Sequence, residues 1–221
     1  MGNMAIKIII ISICIILSYS KKPGIWLNTL NTFFHESFHA IVALILGNKV
    51  KEIDFDASTE GSCTSISKSK LRTVLCSFAG YIGCALISLL FILCIETQYV
   101  NLVFTVITIF SFIILLLYIR KTYAMVWTIC FACINLFFIL IPTPLYIQNY
   151  LLFTIATIIL IENTKACFAI LYLSFFKAKK SGDCSILAKV TKVPAFVWAI
   201  IFNAVNWWVI YRFFVLCFLP K

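Results

Sequence analysis

The sequence predicts an all-α polytopic membrane protein with six to eight transmembrane helices and a small β-hairpin. Apolar residues make up 63% of the chain and charged residues only 12%, whereas a soluble domain is about half apolar and about a quarter charged. The mean hydropathy is +1.07. The apolar residues also occur in stretches long enough to cross a hydrocarbon core, which takes about 20 residues of helix. We therefore expect residues 1–221 to form one integral unit of a cell membrane.

The first apolar stretch covers about residues 5–20 and ends before Lys21 and Lys22. A basic residue, an apolar run and a small-residue end are typical of a signal peptide. They are equally compatible with a retained first transmembrane helix. Further apolar spans follow at once, which favours the retained helix.

The second stretch, about residues 24–46, contains polar residues at helical spacing and ends at Gly47, a natural helix stop. Its polar positions follow steps of three and four, at Asn28, Asn31, His35 and His39. Polar side chains at membrane depth face a bundle interior or a wet cavity. This helix is therefore expected to turn one hydrated stripe towards other protein segments.

That stripe contains the sequence His35-Glu36-Ser37-Phe38-His39, an HExxH pattern that uses the only two histidines of the chain. Residues four apart lie one above the other on a helix, so both imidazoles can reach one ion. Zinc held by two such nitrogens usually takes a third protein ligand and keeps one position for water. Glu36 is then the candidate general base for that water, and Zn²⁺ the expected cofactor.

Residues 48–70 are the one sizeable polar segment. Apolar residues alternate at Ile53 and Phe55, with Val50 out of phase, and residues 62–67 are a candidate return strand after a turn at Glu60 and Gly61. We predict a small hairpin here, the alternative being a disordered loop.

The remaining spans are predicted at about 71–95, 99–119, 122–141, 145–161, 165–176 and 194–219. Pro194 suits the first turn of the last helix. Counted over these segments, lysine and arginine are spread too evenly between alternate loops for the positive-inside rule to orient the chain. Asn203 and Asn206 are expected to form hydrogen bonds between helices.

The net charge of +10 comes from lysines and arginines at the ends of these segments, as at 177–180. Such clusters contact anionic headgroups of the lipid bilayer. No basic stripe interleaved with aromatic residues lies outside the apolar segments, so nucleic acid is not an expected partner. The ten cysteines are mostly within apolar stretches and behave as small hydrophobes, including the pair Cys130 and Cys133.

A third zinc ligand has to be a carboxylate or a thiolate, since both histidines are used. Among the eight acidic residues, the late candidates are Glu162 and Asp183. Asp183 precedes the last helix, where it is equally suited to cap a helix N-terminus. Cys184 is a softer possible ligand. The spacing alone leaves these alternatives open.

These residues resemble the M50B-type branch of the site-2 protease family, the intramembrane zinc metallopeptidases. The resemblance rests on 34–40 (FHESFHA), on Gly47 and Val50, and on 79–83 (AGYIG), and more loosely on 181–184 followed by Trp198. It covers about residues 30–90 and 181–200. The chain departs from the family pattern at Ser37, where a small residue such as glycine is common, and at Gly182, an extra glycine before the aspartate.

The resemblance implies a zinc metalloprotease acting on a peptide bond within or beside the bilayer, with a membrane protein or peptide as substrate. It implies His35, His39 and Asp183 as metal ligands and Glu36 as the catalytic glutamate. It also implies that the hairpin pairs with an extended substrate, and residues 50–56 or 62–67 would supply the strand. Gly80 and Gly83 are expected to allow close helix packing.

Two other classes of function stay open on the residues alone. One is a non-proteolytic membrane scaffold or regulator with a structural metal site. The other is a transporter in which His35, Glu36 and His39 line a path for a cation or a proton.

Overall fold

The computed structural model describes residues 3–57 and 61–219, and these form a helical bundle with one hairpin. The described residues contain eight α-helices and two strands, in the order α1 (Met4–Ser18), α2 (Lys21–Ile45), β1 (Lys49–Phe55), β2 (Gly61–Ile66), α3 (Lys70–Glu96), α4 (Val100–Leu117), α5 (Thr122–Leu140), α6 (Leu145–Phe176), α7 (Gly182–Thr191) and α8 (Ala195–Phe218). The predicted class, helical with a small hairpin after the HExxH helix, is confirmed.

Helices α3, α4, α5, α6 and α8 are each long and apolar enough to cross a membrane. Helices α1 and α2 pass the same test only as a pair, bent by 106° at the break between them. Counting the pair as one span gives six among the described residues, the lower end of the predicted range. Helix α1 has 15 residues, or about 22 Å of helix, and is shorter than a hydrocarbon core of about 30 Å.

The two predicted spans 145–161 and 165–176 are wrong as separate segments, because α6 runs without a break from Leu145 to Phe176. The polar residues between them remain helical since they have partners inside the bundle. Glu162 is 1% exposed and accepts hydrogen bonds from the Lys165 ammonium at 2.8 and 3.0 Å. The Ser18 hydroxyl also donates to Glu162, which joins the end of α1 to the middle of α6.

The hairpin pairs β1 and β2 antiparallel, with a register irregularity between Val50 and Glu52. This β-bulge explains the phase break in the sequence: one extra residue puts Val50 on the same buried side as Ile53 and Phe55. The expected turn residue Glu60 lies outside the described residues, and Gly61 begins β2.

The outer edge of β1 is covered by the connection between α4 and α5. The Ile53 amide donates to the Tyr118 carbonyl at 3.0 Å, and Ile53 forms a parallel bridge with Ile119. Lys121 Nζ lies 2.6 Å from Asp54 Oδ2, and this hydrogen bond raises the pKa of the Lys121 ammonium. These contacts occupy the edge of β1 that faces away from β2, so β2 is the strand with an open edge.

Helix α2 packs along α3, and α3 packs in turn on α6 and α8. A main core fills the bundle, and a smaller cluster beneath α7 includes Cys167, Leu187, Ala199 and Phe202. This second cluster fixes the short helix α7 against α3, α6 and α8. The predicted interhelical role of the asparagines on α8 is confirmed: Asn203 Nδ2 donates to the Cys167 carbonyl, and Asn206 bonds to Asn163 and Thr164 of α6.

Candidate metal centre

His35 and His39 lie one helical turn apart on the face of α2 that is turned to α3 and α7. Their Nε2 atoms are 3.0 Å apart, and their side chains are only 14% and 12% exposed. The helical spacing therefore brings both ring nitrogens to one point.

Asp183, from the first turn of α7, meets the two histidines at that point. Its Oδ2 atom lies 3.3 Å from Nε2 of His35 and 3.3 Å from Nε2 of His39. Gly182 precedes it with φ of +48°, a left-handed conformation that glycine adopts without strain. The extra glycine thus turns the chain from residue 181 into α7 and leaves Asp183 facing α2.

The electrostatic environment keeps the Asp183 carboxylate charged. Burial alone raises the pKa of this carboxyl, but the nearby imidazoles of His39 and His35, through charge and hydrogen bonds, outweigh it. The net result is a pKa below the usual value of an aspartate. An ionised carboxylate is the form that binds a metal ion.

The three ligand atoms fit a zinc ion. Zinc bonds of about 2.0–2.1 Å in a tetrahedron place neighbouring ligand atoms about 3.3–3.4 Å apart, and the three atoms here are separated by 3.0, 3.3 and 3.3 Å. Two imidazole nitrogens and one carboxylate are also the donor types of catalytic zinc sites, which keep a fourth position open. Among the described residues, this is the one group of three potential ligands close enough for a single ion.

The backbone of α3 orients His39. The Nδ1 atom of His39 lies 2.7 Å from the carbonyl oxygen of Cys76. Because a carbonyl oxygen only accepts hydrogen bonds, Nδ1 must be the protonated donor. When the ring is neutral, which is the form that binds a metal ion, its lone pair is on Nε2, the atom that faces His35 and Asp183. This arrangement is the usual support of a metal-binding histidine.

Two residues of α3 contact the imidazole ring of His35. A Cβ atom at Gly80 would overlap the imidazole ring, so the ring rests directly on the glycine backbone. The next residue, Tyr81, packs edge-on against the same ring, with 4.6 Å between ring centroids. The prediction that Gly80 and Gly83 permit close helix packing agrees with this contact and with the overlap between a Cβ at Gly83 and the Phe38 ring.

Glu36 lies beside the cluster and is 6% exposed. Its carboxylate packs against Gly61, the first residue of β2, where an added Cβ would lie 2.6 Å from Oε1. The side chain is thus confined between α2 and the hairpin. It faces the same cavity as the histidines and Asp183.

The cavity measures about 610 Å³, and most of the residues that line it have polar side chains. Asn28, Asn31 and Thr32 of α2 line one side, and residues 61–65 of β2 line the other. Asn31 is 4% exposed, and its Oδ1 atom has no hydrogen-bond partner in the described part of the chain. The hydrated stripe predicted on α2 therefore corresponds to one wall of this cavity.

The other predicted ligand candidates lie elsewhere. Cys184 is fully buried in the cluster beneath α7. Glu162 pairs with Lys165. Of the acidic residues that were not ligand candidates, Asp54 pairs with Lys121, and Glu96 lines a separate cavity with Lys7.

Sequence reasoning missed the carbonyl of Cys76 and the role of Gly61. A backbone carbonyl leaves no signal in the residue type, and Gly61 was interpreted as part of a turn. Tyr81 was predicted only as part of the motif at 79–83, without a role at this site.

Comparison with known proteins gives one result. A family model described as Peptidase M50B-like matches residues 5–213, nearly the whole chain. No curated protein and no solved structure matches the chain.

Proposed function

Because the chain belongs to the peptidase M50B-like family, we propose that it is a membrane-embedded zinc metalloprotease. In this proposal His35, His39 and Asp183 hold Zn²⁺, and Glu36 is the general base. One observation carries it: two ligands from α2 and one from α7 meet within 3.3 Å beside a buried glutamate.

Zinc, when bound, supplies Lewis acidity that polarises the scissile carbonyl and lowers the pKa of a water molecule. Glu36 accepts the proton from that water and later passes it to the leaving amine. Its confinement against Gly61 holds the carboxylate at the cavity wall. The charge of Asp183 and the fixed tautomer of His39 belong to the same preorganised site.

The position of the cavity along α6 supports a scissile peptide bond that lies near one membrane surface. Ala166 of α6 lines the cavity. It lies 21 residues after Leu145, where the helix begins, and this length of helix spans about 30 Å. That distance is roughly the thickness of a hydrocarbon core. The metal site is therefore close to the membrane surface opposite the start of α6.

Strand β2 is the better candidate for pairing with an extended substrate. A transmembrane helix has its amides hydrogen-bonded internally, so cleavage requires local unwinding, and an open strand edge can accept the unwound backbone. The edge of β1 is occupied by Tyr118 and Ile119, whereas β2 lines the cavity beside Glu36. A substrate segment between β2 and Asn31 would pass the metal ligands.

The test replaces Glu36 by Gln in the purified, zinc-loaded protein. A quenched-fluorescent library of membrane-span and flanking peptides in detergent micelles serves as substrate. We expect cleavage to fall by about 100-fold or more, with unchanged zinc content and thermal stability. Glu52→Gln, at an exposed position of β1, is the matched control and should cleave like the wild type.

The same variants discriminate the other functions. A scaffold with a structural metal would show no cleavage in the wild type and no loss in Glu36→Gln. A transporter would show metal or proton flux in liposomes that Glu36→Gln abolishes, without a cleavage product. Either result would contradict the proposal.

A further inference from the structure

The ring of Tyr81 is fixed on two sides next to the metal site. It packs edge-on against His35, with 4.6 Å between centroids and 79° between planes. It stacks on Phe202 of α8, at 5.1 Å and 28°. Such aromatic contacts stabilise the position of a ring by more than the burial of its surface alone.

The backbone of Tyr81 is fixed as well. Its carbonyl accepts a hydrogen bond from Asn163 Nδ2 at 3.2 Å, and the same amide group donates to Asn206 Oδ1 at 2.9 Å. Asparagines of α6 and α8 thus hold α3 at this residue. A side chain in this position keeps one orientation towards the metal site.

The Tyr81 side chain lines the cavity that also contains Glu36 and Asp183. In the described residues no hydrogen bond involves its hydroxyl group, whereas the hydroxyls of Tyr123 and Tyr150 contact Thr29 and the Asn3 amide. A tyrosine hydroxyl is both donor and acceptor. The site therefore contains a positioned phenol with an unused donor.

We propose that Tyr81 is a further catalytic residue of the peptidase reaction. Its hydroxyl donates a hydrogen bond to the carbonyl oxygen of the scissile bond as that oxygen gains negative charge. The phenol keeps its proton, so Glu36 remains the group that transfers protons. A donor held in place before the reaction stabilises the developing oxyanion without having to reorient. This inference rests on the proposed metalloprotease function.

The first test is Tyr81→Phe, which keeps the ring, its stacking on Phe202 and its contact with His35. In the peptide assay kcat should fall by about 100-fold, the usual cost of removing one oxyanion donor, while KM stays within about twofold. Zinc content and thermal stability should be unchanged. Tyr123→Phe removes a hydroxyl that contacts Thr29, away from the cavity, and should leave kcat unchanged.

The second test does not depend on turnover. Two zinc-directed inhibitors are titrated against the zinc-loaded protein by calorimetry: a phosphoryl dipeptide, whose tetrahedral anion imitates the oxyanion, and a thiol dipeptide, which lacks that group. Tyr81→Phe should weaken the phosphoryl dipeptide by about 10-fold or more and leave the thiol dipeptide within twofold.

The outcomes separate the two proposals. Equal weakening of both inhibitors, or loss of zinc in Tyr81→Phe, would make Tyr81 a positioning residue for His35 and overturn its catalytic role. Wild-type kcat in Tyr81→Phe, together with loss of cleavage in Glu36→Gln, would overturn only the role of Tyr81. Full cleavage by Glu36→Gln would overturn the metalloprotease mechanism, and the role of Tyr81 with it.

Discussion

Gly80 of α3 lies directly against the imidazole ring of His35 on α2, so that a Cβ atom at this position would be 2.5 Å from Nε2. The glycine is therefore part of the candidate metal centre, although it has no side chain to offer. Its absence of a Cβ lets α3 approach α2 closely enough for the Cys76 carbonyl to reach His39. One close helix contact thus fixes both imidazoles.

We predict that Gly80→Ala lowers zinc affinity by displacing the His35 ring. The overlap is with a ring packed between Tyr81 and His39, and overpacking of this kind costs about 1–3 kcal/mol. Competition with a zinc chelator measures the change. Gly83→Ala is the matched control, since its Cβ would overlap Phe38 instead; it should lower thermal stability and leave zinc affinity unchanged. Equal zinc affinities in the two variants would contradict the assignment.

Asp183→Ala should lower zinc affinity as strongly as His35→Ala does. Groups that only orient metal ligands contribute about 10- to 100-fold in affinity, so loss of a ligand should exceed about 100-fold. Zinc content after dialysis against a weak chelator is the measurement. Asp54→Ala removes a carboxylate that pairs with Lys121 and should retain the metal. Full zinc retention in Asp183→Ala would remove Asp183 from the centre.

The Lys165–Glu162 pair should be structural and not catalytic. Lys165→Met leaves Glu162, which is 1% exposed, as a buried carboxylate without its cationic partner, and breaking a buried ion pair costs about 3–5 kcal/mol. The melting temperature in detergent should fall clearly. The double variant Glu162→Leu, Lys165→Met removes both charges and should recover most of the loss. A double variant as unstable as the single one would show that the charges themselves are needed.

The basic residues of the chain gather at the end of the bundle that contains the candidate metal centre. Helices α3, α5 and α8 lead away from this end, and α4 and α6 return to it. The segments there carry exposed cations at Lys68, Lys70, Lys177, Lys179, Lys180, Lys189 and Lys192. The opposite end has Lys7 and Arg212 among the described residues.

By the positive-inside rule, we predict that the metal centre opens towards the cytoplasm. A protease-cleavable epitope inserted after Lys179 should be cut in inside-out vesicles, and one inserted after Gln98 only in right-side-out vesicles. The reverse pattern would contradict this orientation. This asymmetry is hidden in the sequence, because dividing α6 into two spans places the basic cluster at 177–180 on the wrong side of the membrane.

The sequence by itself determined the membrane class, the hairpin and the HExxH helix. Hydropathy and helical periodicity are local properties, so apolar stretches and the one-turn spacing of His35 and His39 can be read without a structure. The bulge in β1 was also visible in the sequence, because Val50 breaks the alternation of apolar residues in this strand. The chemistry of zinc ligands limited the third ligand to a few acidic or thiol residues. The spacing along the chain did not decide between them.

Tertiary structure decided everything that depends on contacts between distant segments. It brings Asp183 to the histidines across more than 140 residues, and it places Glu162 with Lys165 and Cys184 in a core cluster. It also shows that α6 continues through a charged stretch, since Ser18 and Lys165 compensate Glu162. Such partners are unreadable from one sequence, because the energy of a buried polar group depends on what faces it and not on its neighbours along the chain.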